Sequence, residues 1–222
     1  MANIRLCYQT LEFGEIDIHL CTLRDRQQFD DPAGIAERLG ISPSSWPIFG
    51  VVWPSSLALA SFMDVYNTGS KRILEVGCGM ALPSLLLNSK SADITSTDCH
   101  PEAGAFLVRN TAINNGTVIA FERTGWGDKN DQLGLFDLII GSDLLYEDEH
   151  TELLADFINA HSRPSCEVIL VDPGRGRKTK MANALEKFGY TCTYQKILQR
   201  AAPAEEYKGH ILKFVRQQQM LS

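Results

Sequence analysis

From residue 51 onward, short apolar runs alternate with longer stretches of helical period. The runs are RILEVG, DITSTD, TVIAFERTGWG, FDLIIGSD and CEVILVD. Their brevity and their apolar character on both faces are typical of strands buried within a parallel sheet. The stretches between them repeat apolar residues every three to four positions, as amphipathic helices do. Two further strands, within YTCTYQKILQ and HILKFVRQ, follow the last helix.

This alternation predicts a doubly wound α/β domain over residues 51–222, with a mostly parallel sheet of seven strands and helices on both faces. In such folds the ligand lies beyond the carboxyl ends of the strands, near the point where the strand order reverses. The loops after Val76, Thr97, Ile140 and Val171 are therefore expected to converge on one crevice.

The first fifty residues have a different pattern. LEFGEIDIHLCTL alternates apolar and polar residues around Phe13-Gly14-Glu15, which predicts a β-hairpin. The following segment is rich in Pro and Ser and is expected to be loop, with a short helix near Ile35–Leu39. Residues 1–50 are thus predicted to form a small extension in front of the α/β domain.

Composition narrows the class of protein. With 222 residues, 44% of them hydrophobic, the chain can bury one substantial core. A net charge of −6 argues against a nucleic-acid partner. No apolar run resembles a signal peptide or a membrane span, and the six cysteines include no CxxC pair, so we expect a cytoplasmic protein with no membrane partner, no disulfide framework and no metal.

The most informative loop is Glu75-x-Gly77-Cys78-Gly79, directly after the first strand of the domain. Two glycines permit a sharp turn and let a ligand approach the backbone. The position where a dinucleotide fingerprint would need its third glycine holds Leu82, which Pro83 follows. A carboxylate at Glu75 disfavours an anionic ligand and suits a cation such as an amine or a sulfonium.

Asp98 ends the second strand of the domain. A carboxylate in this position can accept hydrogen bonds from both hydroxyl groups of a ribose. It can equally cap the helix that follows Pro101, and the two roles are compatible.

Four further motifs accompany this loop and the acid after it: GVVWPSSLALASFM upstream, RNTAINNG at 109–116, TGWGD at 124–128 and SDLLY at 142–146. Together they resemble the seven-strand class of S-adenosylmethionine-dependent methyltransferases. More narrowly, they resemble family 16, a group that includes many protein-lysine methyltransferases. The resemblance covers roughly residues 50 to 215, and the combination of both tryptophan motifs with DxxY is more specific than the glycine loop.

The resemblance implies that S-adenosyl-L-methionine is the cofactor and assigns residues to its parts. The methionine part would be lined by the glycine loop, the ribose held by Asp98, the adenine packed on Trp126, and the reactive end covered by Trp53 and approached by Ser142. For both tryptophans, packing in the core is the alternative. The residues so implied are Trp53, Glu75, Gly77, Cys78, Gly79, Asp98, Trp126 and Ser142.

Asp143 and Tyr146 match the family's DxxY motif, which implies a catalytic role. Asp143 would orient or deprotonate the acceptor amine, and Tyr146 would form the pocket wall or a hydrogen bond. The alternative for Asp143 is that it satisfies backbone groups at the strand end. The run Glu147–His150 is predicted to begin the next helix, since acids in a first turn complement the helix dipole.

The resulting expectation is a monomeric N-methyltransferase that acts on a lysine of a protein. Alternatives are a small-molecule N- or O-methyltransferase, a metal-dependent O-methyltransferase that uses Asp143 with Glu147 or His150, and a homologue that binds the cofactor without turnover. The basic segment Arg175–Lys178 either engages an acidic stretch of the substrate or is a solvated loop.

Overall fold

The computed structural model describes residues 4–129, 131–145, 148–174, 176–197, 200–202 and 205–217. The helices are α1 (Ile35–Arg38), α2 (Pro54–Val65), α3 (Leu82–Ser89), α4 (Ala103–Ile113), α5 (Asp148–Ala160) and α6 (Lys178–Glu186), with a 3₁₀ helix at Trp46–Gly50. The strands are β1 (Leu6–Phe13), β2 (Ile16–Leu23), β3 (Arg72–Val76), β4 (Asp93–Asp98), β5 (Ala120–Arg123), β6 (Phe136–Ser142), β7 (Ser162–Asp172), β8 (Thr191–Lys196), β9 (Arg200–Ala202), β10 (Glu205–Glu206) and β11 (His210–Arg216).

Seven strands form the central sheet, in the order β5-β4-β3-β6-β7-β11-β8. Strands β3 to β7 pair in parallel, whereas β11 runs antiparallel to both of its neighbours, β7 and β8. The order reverses between β3 and β6, so their carboxyl ends flank the switch point. The predicted doubly wound, mostly parallel seven-stranded sheet is confirmed.

Alternate residues of each strand feed two separate cores, as the period of two requires. One core lies against α2 and α3 and takes Ile73, Ile140 and Ile169 from the sheet. The other lies against α5 and α6 and takes Leu74, Val168 and Leu212. Both faces of the sheet are therefore covered, which explains why the strands read as nearly continuous apolar runs.

The predicted N-terminal hairpin is present as β1 and β2, joined at Gly14-Glu15. Its second strand is held to the domain by two asparagines of α4. Asn110 Oδ1 accepts a hydrogen bond from the Cys21 amide at 2.7 Å, and Asn110 Nδ2 donates to the Cys21 carbonyl at 3.2 Å. Asn114 makes the same pair of bonds with His19, at 2.8 and 2.7 Å. The motif RNTAINNG thus supplies, one helical turn apart, polar partners for the free edge of β2.

The remainder of the extension packs beside the glycine loop. Trp46 and Phe49 of the 3₁₀ helix are buried with Met80, Ala103 and Phe106 of the α/β unit. The Phe49 ring stacks on the His100 ring with centroids 3.8 Å apart. The extension therefore shares a core with the α/β unit, and the boundary at residue 50 stays a prediction.

Two local features differ from the sequence prediction. The sequence predicts Ser55 or Ser56, residues of a type that often caps helices, as the cap of α2. The cap position is instead Trp53, which makes no side-chain cap hydrogen bond, and Pro54 opens the helix. The short hairpin of β9 and β10 was not predicted, because strands of three and two residues show no alternation.

One stretch of 20 residues, Trp46–Val65, is long and apolar enough by composition to cross a membrane. In this fold it comprises the 3₁₀ helix and α2 with extended backbone at Val51 between them. The apolar side of α2, including Leu59 and Met63, is buried in the core. Core helices of soluble proteins pass the same composition test.

Candidate active site

Three parallel strands end side by side at the switch point. Val76 of β3 is in register with Thr97 of β4 and with Gly141 of β6. Ser142, the last residue of β6, is in register with Val171 of β7. The loops that follow these strands therefore leave the sheet at one edge, and the side chains that the sequence singles out lie there together.

Both glycines of the first loop have backbone angles in the left-handed region, with φ of +59° at Gly77 and +52° at Gly79. A Cβ at Gly77 would stand 2.5 Å from Leu144 Cδ2 and 3.9 Å from Trp126 Cζ2. A Cβ at Gly79 would stand 3.0 Å from the Phe49 carbonyl oxygen. Only glycine satisfies both the angles and the space, so the loop forms a close-fitting cradle of bare backbone.

Glu75 lies beneath this cradle and is 1% exposed. One carboxylate oxygen accepts hydrogen bonds from the Ser84 hydroxyl and, at 3.0 Å, from the Ser84 amide in the first turn of α3. Burial raises the pKa of Glu75 to about 8, against the lowering effect of the Ser84 hydrogen bonds; nearby Asp98 adds to the increase. Glu75 thus caps α3, and a cation bound nearby would favour its ionised form.

Asp98 is held by two backbone amides. Its Oδ2 accepts from Gly79 at 2.8 Å and its Oδ1 from His100 at 2.8 Å. Burial raises the pKa of Asp98, and these hydrogen bonds oppose the increase. Since each carboxylate oxygen has a second acceptor position, both remain able to take a hydroxyl donor. The expected ribose role is compatible with this geometry. The expected capping role is not realised, because α4 begins at Ala103 with Glu102 in the cap position and no side-chain cap hydrogen bond.

Trp126 follows β5 and is half-buried, packed against the core on the α5 side. Its ring meets His150 of α5 edge-on, with centroids 5.7 Å apart. It therefore forms one wall beside Gly77, where a flat apolar group could insert.

Trp53 lies at the start of α2, and its indole nitrogen donates to the Ile48 carbonyl at 2.8 Å. The Arg26 guanidinium lies 4.7 Å from the centre of its ring. Trp53 is half-buried, so its indole is fixed by the extension at the edge of the core.

Asp143 follows β6 directly and adopts φ of +57°, a conformation that asparagine and aspartate tolerate better than most residues. Its amide donates to the Val171 carbonyl at 2.9 Å, and both Ser142 and Asp143 are half-buried. The turn presents the Asp143 side chain at the end of β6. Strained backbone of this kind often occurs at functional sites. Tyr146 and Glu147 lie outside the described residues.

Cys78 turns its side chain away from the cradle into the core, where burial raises the pKa of the thiol well above its usual value. Its amide donates to the Thr97 carbonyl at 2.9 Å. Cys78 can therefore contribute to a ligand site through its backbone alone.

The residues of the basic segment have contacts within the chain. The Lys178 ammonium lies 5.3 Å from the ring centre of Tyr194, and Arg177 occupies the cap position of α6. Arg175 lies outside the described residues.

No group of three or more His, Cys, Asp or Glu side chains suited to a metal occurs among the residues that the structure describes. The metal-dependent alternative uses Asp143 with Glu147 or His150, and of these three residues Glu147 lies outside the described part of the chain.

Sequence reasoning did not identify two residues that shape the cradle. Phe49 brings its carbonyl to Gly79, and Leu144 packs over Gly77. Phe49 belongs to the extension, and no periodic signal connects it to a loop thirty residues later. Leu144 stands inside SDLLY, but its direction depends on the turn at Asp143.

A family model described as lysine methyltransferase matches residues 44–186 of the chain. Among curated proteins, the histone-arginine methyltransferase METTL23 of Xenopus laevis is 32% identical over 108 residues, which cover 46% of each chain. The electron transfer flavoprotein beta subunit lysine methyltransferase of the same species is 26% identical over 145 residues, covering 61% of this chain and 57% of that one. Protein N-lysine methyltransferase METTL21A of Danio rerio is 29% identical over 121 residues, covering 51% and 52%. The matched regions thus span about half the length of these relatives.

Solved structures share the fold. The Thermus thermophilus 16S rRNA N2 G1207 methyltransferase has a TM-score of 0.62 at 15% identity, covering 96% of this chain and 51% of that one. A methyltransferase from Pyrococcus furiosus has a TM-score of 0.60 at 21% identity, covering 72% and 82%.

Proposed function

The chain belongs to the lysine methyltransferase family, and from this premise we propose that it is an S-adenosylmethionine-dependent N-methyltransferase that modifies a lysine side chain of a protein. The observation that carries the proposal is the convergence of the glycine cradle, Asp98 and Asp143 at the switch point of the sheet. The lysine methyltransferases among its relatives support the choice of acceptor.

The residues present fit the cofactor. The glycine loop turns sharply at the carboxyl end of β3, where its backbone would line the methionine part, and Asp98 retains acceptor positions for ribose hydroxyls. Trp126 offers a half-buried aromatic surface for adenine, while Trp53, at the start of α2, would cover the reactive end of the cofactor. Glu75, which is buried, and Asp98, which is half-buried, favour a bound cation over an anion, because a cation would stabilise their ionised forms. Bound there, S-adenosylmethionine would supply a methyl group on a positively charged sulfur.

The chain's own residues would position and prepare the acceptor. A lysine ammonium carries no lone pair, so it must lose a proton before it can react. Asp143 can accept a hydrogen bond from the amine and fix its direction, and Tyr146 remains its proposed partner. Most of the rate enhancement would come from such positioning.

The first experiment measures thermal unfolding with S-adenosylmethionine, S-adenosylhomocysteine and NAD. A ligand at ~100 times its Kd stabilises the folded state by ~2.7 kcal/mol, which raises the Tm of a chain of this size by roughly 5–10 °C. We expect this increase with both sulfur compounds and none with NAD. An increase with NAD alone would contradict the proposal.

The second experiment follows transfer of a labelled methyl group to proteins of a cell lysate, with mass spectrometry to assign the modified side chain. Asp143→Asn keeps a residue that tolerates positive φ, and we expect it to bind S-adenosylhomocysteine normally while losing transfer by at least ~100-fold. Asp137→Asn, a carboxylate at the opposite end of β6, serves as the control. Modified arginine instead of lysine would favour the activity named for METTL23.

We also propose a monomer in the cytoplasm that has neither nucleic acid nor membrane as its partner. Six unpaired cysteines, all within the described residues, support a reducing compartment. The net charge of −6 supports the absence of a nucleic-acid partner.

A further inference from the structure

Three polar residues lie in a row across the carboxyl edge of the sheet, from β6 over β7 to β11. The Asp143 amide donates to the Val171 carbonyl at 2.9 Å, which places Asp143 beside the end of β7. The next residue of β7, Asp172, is the direct partner of His210 in the ladder with β11. Directly opposed residues of antiparallel strands have Cα atoms about 4.5–5.5 Å apart and share a face of the sheet. Asp172 and His210 are therefore lateral neighbours next to the candidate catalytic residue.

Asp172 is a buried carboxylate with one oxygen unused. The residue is 1% exposed, and its Oδ2 accepts a hydrogen bond from the Gly174 amide at 3.1 Å. Within the part of the chain that the structure describes, its Oδ1 is buried and has no hydrogen-bond partner. Leaving a buried acceptor unpaired is unfavourable, so such an atom calls for a functional explanation.

His210 has a matching atom. Its Nδ1 is also buried and makes no hydrogen bond to any described residue. Strand alternation puts Asp172 on the same face as Leu170, and His210 on the same face as Leu212. The two unpaired polar atoms thus belong to paired residues on one face of the sheet, at the end of β7 and the beginning of β11.

Asp137 is a carboxylate with a structural role in this fold and serves as a comparison for Asp172. It stands at the amino end of β6, far along the strand from Asp143. One oxygen accepts from the Arg72 amide at 2.9 Å and the other from the Arg163 guanidinium at 3.1 Å. Both of its oxygens are used, in contrast to Asp172.

We propose that Asp172, with His210 beside it, binds the acceptor nitrogen of the methylated side chain on the side away from Asp143; this inference rests on the proposed function. A primary amine has two N–H donors and an ammonium has three. The Oδ1 of Asp172 and, in the tautomer protonated at Nε2, the Nδ1 of His210 are the acceptors for them. Held at two or three points, the nitrogen keeps its lone pair in one direction.

The same arrangement determines which acceptor is chosen. A hydroxyl or thiol offers a single donor and would leave one buried acceptor unpaired. A site built to hydrogen-bond N–H groups rejects ligands that lack them. Asp172 and His210 therefore favour nitrogen acceptors over oxygen and sulfur acceptors.

The test uses sinefungin, an S-adenosylmethionine analogue in which a carbon bearing a primary amine replaces the methylated sulfur, so that no protein substrate is needed. Calorimetry compares sinefungin with S-adenosylhomocysteine, which lacks the amine, on the wild-type chain and on Asp172→Asn, His210→Asn and the control Asp137→Asn. For Asp172→Asn we expect sinefungin to bind about tenfold more weakly and S-adenosylhomocysteine within about twofold of wild type. His210→Asn should show a smaller effect in the same direction, and Asp137→Asn should leave the ratio of the two affinities unchanged.

Thermal unfolding without ligand gives a second, independent readout. Asp172→Asn removes a buried charge with an unpaired oxygen, so its Tm should increase by a few degrees, whereas Asp137→Asn should lower the Tm. If the wild-type chain binds neither compound, the proposed function fails. If it binds both but Asp172→Asn keeps their affinity ratio, or if that variant lowers the Tm, the inference is overturned while the proposed function stands. If an ordered water, and not the acceptor nitrogen, bonds to Asp172 Oδ1, the affinity ratio should stay unchanged in Asp172→Asn, and the inference is overturned.

Discussion

Two carboxylates, Glu75 and Asp98, lie at the ends of neighbouring strands under the glycine loop. Burial raises the pKa of both carboxyl groups, and nearby Asp98 raises the pKa of Glu75 further. A cation bound above them would stabilise the ionised form of Glu75, whose pKa burial raises to about 8. The residues whose ionisation is unfavourable in the ligand-free protein are thus the ones that favour a cationic ligand.

The raised pKa of Glu75 predicts a pH-dependent stability. Its pKa is about 8 in the folded chain against 4.5 ordinarily, so the folded state binds a proton that the unfolded state has released. The stabilising contribution is fully present below about pH 4.5 and is lost as pH increases to about 8. The free energy of unfolding should therefore decrease on the order of 1 kcal/mol per pH unit across this window.

The measurement is urea unfolding from pH 5 to 8 for the wild type and for Glu75→Gln, which keeps an acceptor for Ser84. Burial lowers the pKa of His100 to about 4, so His100 contributes a slope of opposite sign as pH falls below 6.5. The difference between the two proteins removes that contribution. A difference that stays constant with pH would show that Glu75 titrates normally.

The cradle itself can be tested at Gly77. Gly77→Ala should lower the free energy of unfolding by about 1–2 kcal/mol because of the positive φ. Overpacking against Leu144 should lower it by about 1–3 kcal/mol more. Gly69 has φ of +54° and no atom within 4 Å of an added Cβ, so Gly69→Ala isolates the cost of the angle. Denaturation should show the larger loss for Gly77→Ala, and only this variant should lose S-adenosylhomocysteine binding. Equal effects of the two variants would contradict a tight cradle.

At the scale of elements, helix α4 acts as the partner of an edge strand. A strand edge exposes unpaired amides and carbonyls, and proteins usually cover it. Here the amide side chains of Asn110 and Asn114 satisfy these groups on β2 from a helix. The extension is therefore attached through polar contacts that depend on two positions of α4.

Asn110→Ala should detach this edge. Asn110 is fully buried, and its loss leaves the Cys21 amide and carbonyl unpaired, at a cost of roughly 2–4 kcal/mol. Asn114→Ala should cost about 1 kcal/mol or less, because Asn114 is half-buried and water can replace it. Urea unfolding measures both values, and the Cys21 amide should exchange with deuterium faster in Asn110→Ala. Unchanged exchange there would mean that β1 alone holds the strand.

How far the elements were predictable depends on the range of the interactions that form them. The parallel strands and most helices follow from local apolar periodicity, and the turn at Gly14-Glu15 follows from residue type. Trp53 as the cap of α2 depends on its bond to Ile48 and on Arg26, which are tertiary contacts. The alignment of Asp172 with His210 depends on the register between β7 and β11, at positions 38 residues apart in the sequence, and periodicity carries no information on register.

At the scale of the whole molecule, the extension and the α/β unit share their interior. Phe13, Ile18 and Leu20 of the hairpin lie in the same core as α2 and α3, and Trp46 lies beside α4. The extension and the α/β unit are therefore expected to unfold together.

This expectation can be measured with Trp46 as the reporter. A variant with Trp53→Phe and Trp126→Phe retains Trp46, which is fully buried, as its only tryptophan. Its fluorescence should change at the same urea concentration as the far-ultraviolet circular dichroism of the helices, as two-state unfolding requires. An earlier fluorescence transition would mean that the extension unfolds by itself.

The position of β11 between β7 and β8 has a consequence for biosynthesis. Strand β8 pairs with β11 and with no other strand of the central sheet among the described residues. During translation β8 leaves the ribosome first, and one edge of β7 stays uncovered until β11 follows. The nascent chain therefore exposes two unpaired strands for the time needed to synthesise about twenty residues, on the order of seconds. Chaperones that protect exposed strand edges would be needed most in that interval.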